Sequence, residues 1–169
     1  AGSPVIVKPT DAYSGRGVEV LLHPSTKDLE QAISRSKQHS KTGNVLLEEY
    51  VQGDLFSYSA FIHEGKVVAA FHVAEFGSVN PFVVDTSFVI SPPEFAPELR
   101  CHTETLAREL GIRAGLMHLQ YIATENCFWV IEPTRRCPGD LYSRLIELST
   151  GYPYADAYVS SFLGGQPPV

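Results

Sequence analysis

Two apolar runs, LFSYSAFIH over residues 55–63 and KVVAAFHVAEF over residues 66–76, are separated only by Glu64 and Gly65. Both are rich in β-branched, aromatic and small apolar residues. A two-residue link ending in glycine closes an antiparallel hairpin, because glycine adopts positive φ without steric cost. A third strand is expected over residues 83–90, which extends the hairpin to a meander.

Around this meander the chain reads as antiparallel α+β. Residues 4–9 and 18–22 form a hairpin with a long, glycine-bearing tip. Ser25 precedes a weak capping-box variant, and Leu29, Ala32 and Ile33 fall at helical spacing through about residue 39. A strand over residues 45–51 completes a β-β-α-β unit. Beyond Pro92, Pro93 and Pro97, the residues Leu99, Leu106, Ala107 and Leu110 mark a helix that stops at Gly111. Strands over 118–123 and 128–132 follow, turned at Glu125-Asn126. Helices over about 141–149 and 154–162 close the chain, and Trp129 is expected to pack in the core or between lobes. The lobe boundary falls near residues 51–53, giving a small lobe over residues 1–51 and a C-terminal lobe over residues 52–169.

Composition narrows the function. The 169 residues are 44% hydrophobic and 19% charged, as in one ordinary globular domain or two small lobes. Thirteen basic against nineteen acidic residues, with no Lys/Arg run, argue against a nucleic-acid or anionic-membrane footprint. No apolar run reaches the roughly 18 residues of a membrane span. Three scattered cysteines, Cys101, Cys127 and Cys137, fit reduced thiols in a cytoplasmic protein better than a disulfide frame or zinc site. The opening AGSPVIVKP enters a strand almost at once, so the chain is expected to be a piece of a larger protein.

Three stretches carry candidate chemistry. In KPTDAYSGRGV, Gly15 and Gly17 could bring backbone N–H groups to an anion that Lys8 also reaches, the alternative being a long hairpin turn. In VLLEEYVQGD, a strand between lobes could offer backbone groups to a flat polar ring, with Leu47, Tyr50 and Val51 around it, the alternative being a surface strand with two solvated glutamates. Gln120 and Glu132 sit on neighbouring strands and could converge as two oxygen donors for Mg²⁺, which prefers hard oxygen ligands and takes others from water and phosphate. Arg136 then suits a clamp on phosphate or carboxylate. Asp85, Asp140 and His118 read as turn acids and a packed strand residue.

The order PVIVKP, SGRGV, LLEEYVQG, GLMHLQ, VIEPTRRCPGDL resembles the ATP-grasp superfamily, in particular the carbamoyl-phosphate-synthase-like and amino-acid-ligase-like carboxylate-amine ligases. The resemblance covers nearly the whole chain. It implies an ATP-grasp fold of two lobes, each with an antiparallel sheet and helices, with the nucleotide bound between them, and a preceding substrate-binding domain that is missing here.

By position, the resemblance makes Lys8 the lysine on the α and β phosphates, and Ser14, Gly15, Arg16 and Gly17 the loop that closes over them. Glu49 and Val51 become the adenine-binding linker positions, with Glu48 or Asp54 on the ribose. Gln120 and Glu132 become the magnesium pair, with Mn²⁺ as a substitute ion, and Arg136 steadies the transferring phosphoryl group. Thr134 stands where the family often has asparagine, and Leu55 where it often has an acid.

The implied activity is an ATP-dependent ligase that activates a carboxylate as an acyl phosphate for an amine-type nucleophile, releasing ADP and phosphate. The fragment alone is expected to be inactive. The partners are small-molecule carboxylate and amine substrates, and homo-oligomerisation stays open. The rival readings are a non-catalytic nucleotide-binding module and an ATP-grasp kinase.

Overall fold

The computed structural model describes residues 2–124 and 127–168. The chain divides into two compact units. One comprises the residues up to Gln52 together with Phe76–Asp85, and the other comprises Gly53–Glu75 and the chain from Thr86 onward.

The first unit contains β1 (Val5–Pro9), β2 (Glu19–Leu21), α1 (Thr26–Lys37) and β3 (Val45–Glu49). The strands form an antiparallel sheet in the order β2-β1-β3. Val7 at the centre of β1 and Ala32 of α1 are both fully buried. Helix α1 starts at a reciprocal cap: the Asp28 N–H donates to Ser25 Oγ at 3.3 Å, and the Ser25 N–H donates to the Asp28 carboxylate at 2.9 Å. Two donors that the first helical turn would leave unpaired are thereby satisfied. Arg35 ties the helix to β2 through two bonds to Glu19 at 2.8 and 2.7 Å. The helix ends at Lys37 rather than near residue 39, because the N–H groups of Gln38, His39 and Ser40 bond three residues back.

The second unit contains β4 (Asp54–His63), β5 (Lys66–Phe76), β6 (Thr86–Ile90), α2 (Ala96–Glu109), β7 (Ala114–Ala123), β8 (Phe128–Thr134), α3 (Tyr142–Thr150) and α4 (Tyr154–Ser160). Phe76, the last residue of β5, clusters with the first unit. The sheet runs β6-β5-β4-β7-β8. Glu64 and Gly65 both take positive φ, 51° and 76°, which is what the two-residue hairpin link requires. One face of the sheet, with Tyr58, Ile62, Leu119 and Tyr121, packs on Leu99 and Ala107 of α2. The other, with Phe61, Val73 and Leu116, packs on Tyr142, Ile146, Tyr154 and Ala157 of α3 and α4.

Several boundaries differ from the sequence expectation. Strand β6 begins at Thr86, not at residue 83, because the preceding residues spend their hydrogen bonds in a tight loop: Ser78 donates its N–H and Oγ to the Asp85 carboxylate at 2.8 and 2.5 Å, and the Val83 N–H goes to the Asn80 carbonyl at 2.9 Å. Strand β7 begins at Ala114, four residues earlier than expected, through Gly115 at φ 112°. Strand β8 runs past Glu132 to Thr134 and includes Pro133, tolerated at the sheet edge where no ladder bond is lost. Helix α4 stops at Ser160, two residues short of the expected end, and the Phe162 and Leu163 N–H groups close turns three residues back. Trp129, on that same edge strand, is 42% exposed and not a core residue. The turn assigned to Glu125-Asn126 lies outside the described residues.

Candidate functional site

In the first unit, Lys8 follows buried Val7 on β1 and faces Leu46 of β3, while Glu48 faces Ile6. Lys8 and Glu48 are therefore diagonal neighbours on one face of the ladder, and Lys8 Nζ forms an ion pair with Glu48 Oε2. Glu48 thus supplies a charge partner for a lysine placed at the end of an apolar strand. Glu49 is the last ladder position, opposite Val5, and the Tyr50 N–H still reaches the Pro4 carbonyl at 3.0 Å. Val51 lies beyond that ladder.

The loop between β1 and β2 holds Ser14, Gly15 and Gly17 at positive φ of 54°, 65° and 74°. Arg16 lies over the Tyr13 ring, 4.6 Å from its centroid, and donates to the Tyr13 hydroxyl at 3.1 Å. Both glycines also have a packing reason. A Cβ on Gly15 would lie 2.6 Å from Cβ of Phe82, and one on Gly17 would lie 2.8 Å from Cβ of His39.

In the second unit, Gln120 of β7 pairs directly with Glu132 of β8, and His118 with Thr134. This facing depends on a bulge. At the near end of the pair the register is Ala123↔Phe128, Ile122↔Trp129 and Tyr121↔Val130, and it shifts by one residue between Gln120 and Tyr121. Without the extra residue Gln120 would oppose Ile131, and Glu132 would point to the other face of the sheet. Gln120 is partly buried and Glu132 is exposed.

Behind this pair runs a line of polar side chains. Ser57 and Ser59 on β4 pair with Gln120 and His118. The Ser57 hydroxyl donates to Tyr142 at 3.0 Å, and Ser59 bonds both Tyr154 at 2.9 Å and His118 Nδ1 at 2.8 Å. Leaving any of these buried groups unpaired would cost about 1–3 kcal/mol, so the network fixes α3 and α4 beneath the strands that carry Gln120. His118 is 8% exposed; burial, aided by the Arg136 charge, lowers its pKa to about 4, so it stays neutral. It is a packed strand residue and no part of an oxygen donor set.

Glu75, which sequence reading missed, completes the face. It is 6% exposed and accepts a 2.7 Å hydrogen bond from Gln120 Nε2. Burial pushes its pKa up, bonds from Ser57 and Gln120 oppose that, and the Asp140 and Glu132 charges add to it. The signal for it was a lone acid in the otherwise apolar run VVAAFHVAEF.

The two arginines separate. Arg135 donates to the Ala114 carbonyl at 3.1 Å, whereas Arg136, which is exposed, donates to the neighbouring Cys137 carbonyl at 3.3 Å. Asp140 accepts from the Tyr142 N–H at 2.9 Å at the start of α3. Asp54 is not brought to this face. It opposes Ala123 and lines a largely apolar cavity of about 450 Å³ with Phe56, Phe95 and Tyr121 on the α2 side.

Gln120 and Glu132 offer two hard oxygens, and among the described residues no group of three or more His, Cys, Asp or Glu could hold a metal ion by itself. That donor chemistry fits Mg²⁺, which commonly takes one or two protein ligands and completes its shell with water and phosphate. Among the described residues no helix is long and apolar enough to cross a membrane.

Comparison with known proteins gives the family and the fold. The carbamoyl phosphate synthase large chain of Mycobacterium tuberculosis is 25% identical over 173 residues, covering 96% of this chain, and that of Thermomicrobium roseum is 26% identical over 171. The chain spans only 15% of the length of either. Among solved structures, biotin carboxylase from Campylobacter jejuni superposes with a TM-score of 0.78 at 19% identity, over 99% of this chain and 39% of that one. D-alanine–D-alanine ligase from Bacillus anthracis gives 0.70 at 16% identity, over 96% and 55%. The fold is thus α+β with two antiparallel sheets, as in these neighbours. The ATP-grasp domain family matches residues 1–142, and the chain belongs to it.

Proposed function

We propose that this chain is the ATP-binding part of a cytoplasmic ATP-dependent ligase that activates a carboxylate as an acyl phosphate for capture by an amine-type nucleophile. A small lobe over residues 1–51 and a C-terminal lobe over residues 52–169 are part of this reading. The observation that carries it is the bulge-set pairing of Gln120 with Glu132, with Arg136, four residues later, exposed and bonded to the carbonyl of its own neighbour Cys137. The names of the similar proteins, a carbamoyl phosphate synthase large chain among the relatives and a D-alanine–D-alanine ligase among the solved structures, support this class of reaction.

In the proposed reaction a carboxylate oxygen attacks the γ-phosphorus and the bond to the ADP oxygen breaks. The amine nitrogen then attacks the acyl carbon, loses a proton, and inorganic phosphate leaves. Such transfer needs charge neutralisation more than a protein nucleophile. Lys8 holds the α and β phosphates beneath the loop of Ser14, Gly15, Arg16 and Gly17, Glu49 and Val51 present backbone groups to adenine, and Glu48 or Asp54 serves the ribose. Arg136 neutralises charge on the transferring phosphoryl group. Gln120 and Glu132 hold the Mg²⁺, which supplies further charge neutralisation, and Mn²⁺ substitutes for it. The acid and amine substrates bind with the help of a domain outside this chain, without which the fragment is inactive. The free thiols of Cys101, Cys127 and Cys137 suit a reducing compartment.

The test is calorimetric binding of a non-hydrolysable ATP analogue with and without Mg²⁺, in wild type, Lys8→Ala and Glu132→Gln. Binding that needs Mg²⁺ and weakens in both variants is expected. Folded protein whose binding ignores Mg²⁺ and both substitutions would overturn the reading.

A further inference from the structure

We infer that Glu75 is a positioning residue for the metal site: its buried carboxylate orients the Gln120 amide so that the amide oxygen is the end offered to a divalent cation beside Glu132. The inference rests on the assignment of Gln120 and Glu132 as the metal pair.

A glutamine amide has two ends of similar size and opposite chemistry, a carbonyl oxygen and an NH₂ group. Only the oxygen binds a hard cation. A glutamine without a fixed partner presents either end, and half of its orientations would aim N–H donors at the ion. Glu75 removes that ambiguity. The 2.7 Å bond runs from Gln120 Nε2 to a Glu75 carboxylate oxygen, so it holds the NH₂ end and turns Oε1 the other way. The geometry is rigid on the Glu75 side. Glu75 opposes Leu55 on β4, Gln120 opposes Ser57 on the same strand, and the two side chains meet diagonally across β4 on one face. At 6% exposure Glu75 has little water to compete for its oxygens.

The contact also accounts for the amide at position 120. A glutamate there would set two carboxylates at hydrogen-bond distance on a face that already carries Glu132, with the Asp140 charge near enough to act on Glu75. Glu75 and Gln120 together supply one carboxylate and one amide, and the arrangement should survive exchange of the two. In Glu75→Gln/Gln120→Glu the amide lies behind, donating, and a carboxylate oxygen faces the cation.

The experiment is Mn²⁺ binding in the full-length protein, read by electron paramagnetic resonance of free Mn²⁺ with a saturating non-hydrolysable ATP analogue. It compares wild type, Glu75→Gln, the exchanged pair and Glu132→Gln, each checked for folding by circular dichroism. Outer-shell partners of metal ligands typically contribute 10–100-fold in affinity. The expected result is a loss of about tenfold or more in Glu75→Gln, restored in the exchanged pair to within about threefold of wild type. Wild-type affinity in Glu75→Gln while Glu132→Gln is weakened would overturn the positioning role and leave the metal pair standing. Wild-type affinity in Glu132→Gln would overturn both. If Glu75→Gln does not fold, the exchanged pair decides: folded with metal bound, it supports the role, and folded without metal, it overturns it.

Discussion

Lys8 and Glu48 stand diagonally on one face of the β1–β3 ladder and are ion-paired, so any phosphate that Lys8 binds must compete with a carboxylate for the same ammonium. Inorganic tripolyphosphate isolates this competition because it has no ribose for Glu48 to hold. Lys8→Ala is expected to weaken tripolyphosphate binding about tenfold, the scale of one hydrogen bond to a charged group. Glu48→Gln is expected to tighten it a few-fold. Both side chains are partly exposed, so the pair contributes no more than about 1 kcal/mol to folding, and melting temperature should move by only a few degrees in either variant. Titration calorimetry with a parallel thermal melt checks both statements.

Gly15 and Gly43 offer a clean comparison of backbone strain with packing. Both have positive φ, 65° and 72°, but a Cβ on Gly15 meets Phe82 at 2.6 Å while one on Gly43 meets nothing within 4 Å. Gly43→Ala should cost only the left-handed conformation, about 1–2 kcal/mol. Gly15→Ala should cost more by roughly 1–3 kcal/mol, because Phe82 must shift. Urea denaturation of the two variants measures the difference, and equal losses would show that the Phe82 segment yields freely.

The contrast between what was legible and what was not follows from range. The β4–β5 hairpin was written locally, in two apolar runs and the Glu64-Gly65 link. The cap at Ser25 was equally local. Gln120 and Glu132 were found as residue types, but their facing depends on one extra residue in β8, which no spacing rule reveals because the bulge arises in the pairing of two strands. Glu75 was missed for a related reason: its role exists only diagonally across β4. The loop before β6 was read as strand because its apolar residues carry β propensity, whereas Asp85 and Asn80 supply hydrogen bonds that hold it as a loop.

His72 gives the fold a pH dependence. It is buried, with its ring 4.8 Å from that of Tyr58 and Nδ1 3.4 Å from the Tyr121 hydroxyl, and burial lowers its pKa from 6.5 to about 4. Between these values the unfolded chain binds a proton that the folded chain refuses, so stability falls as pH falls from 6.5 towards 4 and the effect ends once both states are protonated. The size is up to about 3 kcal/mol. His72→Phe should remove this share, and chemical denaturation at pH 7, 6, 5 and 4 should show wild type losing more than the variant over that window. Parallel curves would mean that the imidazole is hydrated in the folded state.

Arg135 and Arg136 are adjacent, equal in charge and unequal in attachment. Arg135 spends an N–H on the Ala114 carbonyl at the start of β7, and that guanidinium also lies 3.1 Å from where a Cβ on Gly115 would sit. Arg136 is exposed and, among the described residues, its hydrogen bond goes to its own loop at Cys137, which suits a guanidinium that meets a ligand. An arginine that neutralises charge in phosphoryl transfer should act on the rate, and Arg136→Ala in the full-length protein is expected to lower ATP-dependent phosphate release on the order of a hundredfold or more. Arg135→Ala should leave that rate within a few-fold and instead cost about 1 kcal/mol of stability, the worth of one hydrogen bond. Measuring turnover and denaturation for both variants separates the two roles. A rate loss in Arg135→Ala larger than in Arg136→Ala would reverse the assignment, because the neighbour tied to β7 would then be the one that meets the phosphoryl group.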